Sequence, residues 1–411
     1  MALELSDINL SDLKFWERPM AEREEAFALL RAQPGPVRFP EVRYTDRGEA
    51  DSRGYYAMVR HADIVEASRK PDVFCSSKGA TSILDMPAEF AEYFGSMINM
   101  DDPRHARLRR IVSRSFTPKM IKAFEDDVSV VVKRVVDELI ERGPGCDFVE
   151  VAGKLPLEII CNMMGIGPEH HEMVFESTNF ILSGGDPEFV EDITEFATLL
   201  LTHGQRLQDL VIDLAKDPGD GLIKALTNAN VDGEKLTPQE LGSFFILLVV
   251  AGNETTRNAM AHGLHLLTHH PDQRELLLSD FDRYIPGAVE EIVRLGSPVT
   301  WMRRTLTRDY ELNGTRYEEG DKVLLYYWAA NRDEDVFADP YRFDITRSPN
   351  PHVGFGGPGP HFCLGAHLAR REITLMFREL FTRLPAIRSV GEPSRLRSSF
   401  INGIKHLTCE F

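Results

Sequence analysis

The feature that most constrains the fold is one long helix, predicted between residues 237 and 270. The tetrapeptide TPQE at 237–240 supplies a threonine N-cap, a proline at the first helical position and a glutamate at the capping-box position. The helical pattern continues to about His270, because Pro271 cannot extend it. At 1.5 Å per residue, such a helix is about 45–50 Å long. Its middle, FFILLVVA at 244–251, is apolar, so the rest of the chain must pack around it.

Most of the other patterns are helical too. Residues 118–142 repeat apolar side chains every three or four positions and stop at Gly143-Pro144. Strand-like stretches are short and lie at 55–60 and 309–328. The sequence therefore predicts a mainly α fold with small β-sheets. Because no repeat, low-complexity tract or long linker interrupts it, residues 1–411 are expected to form a single domain.

Composition narrows the class of protein. The chain carries 64 acidic and 47 basic residues, a net charge of −17, which argues against nucleic-acid binding. Its five cysteines are scattered and odd in number, which is typical of reduced thiols inside the cell. The N-terminal stretch is interrupted by charges, and the longest apolar run is too short to span a bilayer. We therefore expect a cytoplasmic protein without a membrane anchor.

The centre of the long helix is unusually polar, with GNETT at 252–256 following the apolar run. A buried carboxylate is costly unless it is paired. Two interpretations follow. Glu254 could pair with Arg257 while the threonine hydroxyls bond back to helix carbonyls. Alternatively, the helix opens locally and a carboxylate and a hydroxyl line a path for protons and water.

Three residues near this centre are predicted to share one helix face. Leu247, Ala251 and Thr255 follow one another at four-residue steps. The small side chains of Ala251 and Gly252 on or near that face would leave space for a bulky group to approach.

Cys363 follows the glycine-rich stretch GFGGPGP, and an amphipathic helix is predicted to begin at the cysteine itself. The positive end of a helix dipole and the nearby backbone N–H groups favour a thiolate. From these residues alone, the cysteine could be a buried free thiol, a nucleophile beside His361 or a metal-bound thiolate.

Four motifs occur in one order along the chain: AGNETT in the long helix, E-x-x-R at Glu291–Arg294, FADPYRF at 337–343 and HFCLG around Cys363. Together they resemble a bacterial cytochrome P450 over essentially the whole length. The family pattern places a phenylalanine seven residues before the cysteine, whereas here Phe355 lies eight before it and Gly356 seven. One extra loop residue is expected in P450s that resemble actinobacterial sterol and branched-lipid hydroxylases.

The resemblance implies the cytochrome P450 fold, with the long central helix over a haem b group (iron protoporphyrin IX). Cys363 would be the thiolate ligand of the iron. The residues that match the family's haem-propionate partners are His361, Arg304, His105 and Arg109. Arg303 is the alternative to Arg304; the latter is preferred because it immediately precedes TLTRDYEL, as in the family pattern.

The resemblance also implies two polar groupings. Glu254 and Thr255 match the acid–alcohol pair that delivers protons during oxygen activation. Glu291, Arg294 and Arg342 look like a buried ion triad with a structural role near the cysteine loop. Arg107 and Arg110, if exposed, could bind an acidic electron-donor protein.

The residues that match substrate-pocket positions are all apolar: Phe94, Ile98, Leu247, Ala251, Val299 and Phe400. Such a lining suits a hydrophobic lipid or sterol substrate. Several stretches are similar to mycobacterial-type enzymes that hydroxylate terminal methyl groups. The implied function is ω-hydroxylation of methyl-branched fatty acids, isoprenoids or sterol side chains. It would use O2 and electrons from a ferredoxin and its reductase.

The alternatives are a P450 monooxygenase of another hydrophobic substrate, such as a secondary metabolite, and three less similar classes. A peroxide-using fatty-acid hydroxylase would be expected to lack the Glu254–Thr255 pair. A non-catalytic haem sensor or carrier would have no use for that pair. A cysteine hydrolase has only Cys363 in its favour.

Overall fold

A computed structural model describes residues 3–41, 53–113, 125–183, 186–190, 193–216, 221–228 and 235–411. Helices make up most of this part of the chain, and the strands are two to five residues long. The prediction of a mainly α fold with small sheets is therefore confirmed. The helices are α1 Met20–Arg31, α2 His61–Arg69, α3 Ala88–Gly95, α4 Arg104–Ser113, α5 Glu125–Arg142, α6 Phe148–Ala152, α7 Lys154–Met164, α8 His171–Leu182, α9 Ile193–Leu214, α10 Leu222–Asn228, α11 Pro238–His269, α12 Pro271–Ser279, α13 Phe281–Gly296, α14 Tyr327–Ala330 and α15 Ala366–Arg383.

Helix α11 is the predicted central helix, and its boundaries are confirmed. The Thr237 hydroxyl accepts the Glu240 backbone N–H at 3.1 Å, and Glu240 accepts the Thr237 N–H at 3.0 Å, which is the predicted capping box. Glu240 also binds Arg107 of α4 at 2.8 Å, so the start of α11 is joined to that helix. Helices α3, α7, α8, α9, α13 and α15 all pack against α11.

The other predicted elements are found where they fall within the described ranges. Helix α5 ends at Arg142, immediately before Gly143, as predicted. The predicted start of this helix, at 118, lies outside the described residues. The strand expected at 55–60 covers Tyr55–Met58. No helix in the described ranges is both long and apolar enough to traverse a bilayer.

The strands form one five-stranded sheet and three two-stranded pairs. The large sheet has the order β1-β2-β7-β4-β3, in which only β2 and β7 run parallel. The segment predicted at 309–328 supplies the hairpin β5–β6 and the strand β7. The strands are β1 Val37–Phe39, β2 Tyr55–Met58, β3 Phe74–Cys75, β4 Met302–Leu306, β5 Tyr310–Leu312, β6 Thr315–Tyr317, β7 Lys322–Leu325, β8 Arg388–Ser389, β9 Ser394–Arg395, β10 Ile404–His406 and β11 Cys409–Glu410.

A fully buried ion network joins α13 to the loops that follow the sheet. Arg294 binds Glu291 through two hydrogen bonds of 2.7 and 2.8 Å, and both side chains have no exposed surface. The remaining Arg294 N–H groups donate to the carbonyl groups of Asn331, Pro340 and Arg342. These bonds satisfy the charge and the donors of a guanidinium that water does not reach.

The third side chain of the network is Arg347, and the prediction of Arg342 was wrong. Arg347 Nε donates to Glu291 Oε1 at 3.1 Å. Arg342 is exposed and takes part only through its carbonyl oxygen, which accepts N–H groups of Arg294 and Arg347. The motif identified the correct loop, but the arginine whose side chain faces inward lies five residues after Arg342.

Replacing Arg347 with alanine should therefore destabilise the protein, and Arg342→Ala is the matched control. Losing a hydrogen bond to a buried carboxylate should lower the free energy of unfolding by about 1.5–3 kcal/mol. Removing the exposed Arg342 side chain should lower the free energy of unfolding by less than about 0.5 kcal/mol. Denaturant titration followed by circular dichroism measures both. A larger loss in the Arg342 variant would contradict this assignment.

Candidate active site

The loop before α15 presents the Cys363 sulfur to an interior recess. Cys363 lies three residues before the first residue of α15, so the prediction that the helix begins at the cysteine was wrong. Gly365, the N-cap residue, has a non-helical conformation (φ −84°, ψ 5°), which delays the helix. The Cys363 backbone N–H donates to the Phe355 carbonyl at 2.9 Å and closes the loop.

The surroundings of the sulfur shift the pKa of Cys363 in two opposite directions, and the net effect is upward. Burial raises the pKa of the Cys363 thiol, whereas the N–H groups of Gly365 and Ala366 and the positive charges of Arg109 and Arg370 lower it. The side chain is nevertheless accessible, so it faces a recess and is not packed in the core. A sulfur with donors on one side and open space on the other suits metal ligation.

The extra residue in the cysteine loop leaves an aromatic ring beside the cysteine. Gly356 has φ +88°, a conformation that favours glycine and turns the chain after Phe355. The Phe355 ring lies beneath the Arg370 guanidinium at 4.3 Å and packs near Phe362 at 6.5 Å. The shift of one position relative to the family pattern therefore keeps an aromatic ring next to the loop.

Glu290 holds the chain on both sides of Cys363, and sequence reasoning missed it. Its carboxylate contacts His352 Nε2 at 2.9 Å and Arg370 Nε at 2.5 Å. Burial alone would raise the pKa of Glu290, but the hydrogen bonds to Arg370 and His352 lower it to about 2. Glu290 is therefore ionised at neutral pH and acts as a clamp on the loop.

Four predicted cationic residues converge above this loop. The rings of His105 and His361 lie 4.2 Å apart, and Arg109 donates to the Phe362 carbonyl at 2.5 Å. Burial, followed by the charges of Arg304, His105 and Arg109, lowers the pKa of His361 to about 2. His361 is therefore neutral at neutral pH, and the positive charge of the cluster resides on Arg109 and Arg304.

Two polar residues that carried no sequence signal orient the histidines. Ser76 Oγ is 3.1 Å from His361 Nε2, and Asp102 Oδ1 is 3.3 Å from His105 Nδ1. His105 Nε2 is buried and has no hydrogen-bond partner in the described part of the chain. An unpaired buried ring nitrogen, a donor when the histidine is protonated, beside two arginines fits a ligand with carboxylate groups, such as the two propionates of a haem.

The structure distinguishes Arg304 from Arg303. Adjacent residues of strand β4 point to opposite faces of the sheet. Arg303 binds Asp85 at 2.6 Å and donates to the carbonyl groups of residues 82–84. Arg304 instead lies close enough to His361 to lower its pKa. This contact favours Arg304 as the arginine of the cationic cluster.

An apolar stripe on α11 faces open space in the middle of an otherwise buried helix. Ala251 and Thr255 are partly accessible, and Leu247 and Val250 each keep 8% of their surface. Among their neighbours, Phe245, Ile246 and Val249 have none, whereas Leu248 and Gly252 are also partly accessible. Spacings of three and four residues place these accessible positions on one face. Val250 was missed by sequence reasoning, although it lies three residues after Leu247.

Gly252 is partly accessible, as Ala251 is, and it also faces helix α7. A Cβ atom at this position would overlap Ile160 Cδ1 of α7. The glycine therefore allows α7 and α11 to approach each other closely. Ala251 is the other small residue at an accessible position.

At the polar centre of α11, the carboxylate is paired with an arginine and the helix is not broken. Glu254 forms an ion pair with Arg257 and accepts from Asn258 Nδ2 at 2.9 Å. Thr255 Oγ1 donates to the Ala251 carbonyl at 2.6 Å, and the helix is continuous through this region. Glu254 and Arg257 also line a cavity of about 290 Å³ that extends to the exposed His406.

The six predicted pocket residues do not all fall in one cluster. Phe94 on α3 and Ile98 in the 3-10 helix Ser96–Asn99 pack against the apolar core that contains Leu247, and so does Ala251. Val299 and Phe400 belong to two neighbouring clusters. Hydrogen bonding between Thr300 N and the Phe400 carbonyl, at 2.8 Å, holds those two segments side by side.

Comparisons with known proteins agree with this site. The family model for cytochrome P450 matches residues 197–387. A methyl-branched lipid omega-hydroxylase of Mycobacterium tuberculosis is 50% identical over 407 residues, covering 98% of this chain and 94% of that protein. The chain belongs to the cytochrome P450 family. Membership makes it a haem-thiolate monooxygenase that requires O2, a redox partner and a lipophilic substrate.

Two further relatives of this P450 are informative. A steroid C26-monooxygenase of Mycolicibacterium smegmatis is 38% identical over 394 residues and covers 94% of this chain and 90% of that protein. The crystal structure of a Mycobacterium marinum cytochrome P450 in complex with pseudoionone has a TM-score of 0.93 at 41% identity. That match covers 98% of both chains, so the P450 fold extends over nearly the whole sequence.

Replacing Arg304 with glutamine should weaken haem retention, because one cation of the cluster is lost. Arg303→Gln is the matched control in the same strand, and its haem content should stay close to that of the unmodified protein. The haem-to-protein ratio after gel filtration measures this difference, and circular dichroism verifies folding. Greater haem loss in the Arg303 variant would show that the two arginines have been assigned the wrong way round.

Proposed function

We propose that this P450 hydroxylates the terminal (ω) methyl group of methyl-branched fatty acids, isoprenoids or sterol side chains. The observation that carries the proposal is the apolar stripe of Leu247, Val250 and Ala251, which leads to the Thr255 hydroxyl. Such a wall binds hydrocarbon and presents one polar group where the reaction takes place. The 50% identity to a methyl-branched lipid omega-hydroxylase supports this substrate class.

In this proposal, Cys363 binds the iron of haem b through its thiolate. The bound haem supplies the activation of O2, and electron donation from the thiolate favours O–O cleavage. The N–H groups of Gly365 and Ala366 favour the thiolate but only partly offset the burial that raises the pKa of Cys363, so the bound iron would supply the charge that keeps the sulfur deprotonated. Glu290 and the Glu291–Arg294 pair hold the loop in position, so the sulfur does not move when charge on the ligand changes.

His105, Arg109, Arg304 and His361 are proposed to bind the haem propionates. Their contribution is electrostatic, because two buried carboxylates need cations or N–H donors. Asp102 accepts the Nδ1–H of His105 and orients its ring, so the free Nε2 would donate to a propionate when the ring is protonated.

Thr255 and Glu254 are proposed to hold and deliver protons. Thr255 Oγ1 uses its hydrogen to bind the Ala251 carbonyl, so its lone pairs are free to accept another hydrogen bond. Glu254 faces Arg257 and the cavity that extends to His406. A proton taken up from that cavity would reach the stripe through Glu254, while the apolar wall excludes other water.

The remaining assignments concern the cellular setting. We propose electron delivery by a ferredoxin and its reductase, a cytoplasmic location and a single domain over residues 1–411. Of the arginines first considered for partner binding, Arg107 is used to bind Glu240 at 2.8 Å, whereas Arg110 is exposed. Phe94, Ile98, Val299 and Phe400 complete the proposed pocket. Each methylene that they bury contributes about 0.8 kcal/mol to substrate binding.

Steroids are the second candidate substrate class, because a steroid C26-monooxygenase is 38% identical to this chain. The two classes share a branched aliphatic tail with a terminal methyl group and differ in the rest of the molecule. A spectral binding screen separates them. Substrates that enter the pocket displace the water on the iron and shift the haem absorption band.

Methyl-branched fatty acids should shift this band at lower concentration than unbranched acids of equal length, and sterols with a full side chain should rank between them. Product identification by mass spectrometry should then place the new hydroxyl on the terminal carbon. Binding restricted to small polar aromatic compounds, or hydroxylation in mid-chain, would contradict the proposed function.

Thr255→Ala should uncouple electron consumption from product formation, because the proposed proton-delivery hydroxyl is lost. A fall in coupling of about 10-fold or more, with release of peroxide, is the expected outcome for loss of a proton-transfer group. Thr268→Ala is a matched control, since Thr268 Oγ1 makes the same type of bond to the Leu264 carbonyl, at 2.7 Å, later in α11. Equal coupling in both variants would mean that groups other than Thr255 deliver the protons.

A further inference from the structure

A buried arginine without a partner lies on the inner face of α1. Arg23, Ala26, Phe27 and Leu30 form the stripe that packs into the N-terminal apolar cluster, and Arg23 is only 6% exposed. Its Nε and Nη2 atoms are buried and have no hydrogen-bond partner among the residues that the structure describes. A guanidinium in this position is costly unless an acceptor binds it.

Two more arginines increase the positive charge around Arg23. Burial, followed by the charges of Arg395 and Arg332, lowers the pKa of Arg23 to about 10, while Glu24 acts in the opposite direction. All three arginines remain protonated at neutral pH. Glu24 is already paired with Arg332 at 3.3 Å, and Arg395 Nη1 is a further buried donor without a partner in the described ranges.

A small cavity adjoins the Arg23 side chain. Its volume of about 10 Å³ is room for one particle of the size of a water molecule. The lining residues are all at least nine-tenths buried; they are Trp16, Arg23, Thr300, Trp328, Ser398 and Asn402.

The hydroxyl groups in the lining add donors to those of Arg23. Ser398 Oγ accepts the backbone N–H groups of Phe400 and Ile401, at 3.2 and 3.1 Å, so its own hydrogen is left to donate. Asn402 Nδ2 is bound to the Gly296 carbonyl at 2.6 Å, which leaves its side-chain oxygen as an acceptor. A water molecule could use that acceptor, but it would not compensate the charge of Arg23.

We propose that this cavity binds a small monovalent anion of the size of chloride, held by Arg23 with help from the Ser398 and Thr300 hydroxyls. The excess of arginine charge requires a negative ion. The cavity has room for about one small particle, which favours a monoatomic ion over phosphate, sulfate and carboxylates. The bound ion would join α1 to the segment 398–402, which includes the proposed pocket residue Phe400.

Bromide is the probe that locates the ion, because it scatters X-rays anomalously and has nearly the size of chloride. Crystals of the haem-loaded full chain soaked in sodium bromide should show an anomalous peak within bonding distance of Arg23 Nε or Nη2. A water molecule in this position without an anomalous peak would overturn the proposal. This measurement does not depend on any variant being stable.

Thermal unfolding tests whether the anion binds in solution. At constant sodium concentration, replacing gluconate by chloride should raise the Tm of the unmodified enzyme by about 1–3 °C with saturation. Arg23→Gln should abolish this chloride-specific rise. The control Arg38→Gln, which removes one exposed arginine that lies over Tyr56, should keep it. A chloride response that is absent from the unmodified enzyme, or equal in the Arg23 variant, would refute the site.

Discussion

The active site depends on two adjacent carboxylates of helix α13. Glu291 binds Arg294 and Arg347 in a fully buried network, and Glu290 binds residues on both sides of Cys363. Because a buried charge that loses its partner is strongly destabilising, neither carboxylate can move independently of the loop. The position of the sulfur is therefore fixed by ion pairs with a helix that does not itself enter the recess.

The central helix combines two opposite requirements. Most of its residues are buried, and the buried side chains are mainly apolar, which stabilises the fold, while its middle carries a carboxylate and hydroxyls beside open space. The free-energy cost of placing these polar groups in a buried helix is reduced locally, because Glu254 is paired with Arg257 and Thr255 bonds to the preceding turn. The same bonds leave the helix intact, which is the first of the two interpretations that the sequence allowed. Proton delivery then requires the exchange of hydrogen bonds, not a permanent gap.

Features determined by neighbouring residues were predictable from the sequence. The capping box at Thr237, the end of α5 before Gly143 and the short strands all depend on a few adjacent side chains. The cationic cluster was predicted by motif matching, which reached residues far apart in the chain. The pairing of Ser76 with His361 had no such signal, because 285 positions separate the two residues.

Errors occurred where the tertiary packing decides between neighbours. Arg342 and Arg347 lie in one loop, and only the turn between them determines which guanidinium reaches Glu291. The choice of Arg304 over Arg303, by contrast, already followed from the family pattern, and the strand pleat gives its physical reason.

The contact between Glu240 and Arg107 has a further consequence for the response of the enzyme to acid. Burial alone would raise the pKa of Glu240, but its hydrogen bonds to Arg107 and to the Thr237 N–H lower it. Its contribution to stability is therefore complete above the pKa of an unfolded glutamate and is lost as the pH falls through the lower, folded value. Protonation of this one carboxyl group would weaken both the capping box of α11 and the ion pair that joins α11 to helix α4. Since α4 carries His105 and Arg109, acid would weaken the start of the central helix and the attachment of the proposed haem-propionate donors together.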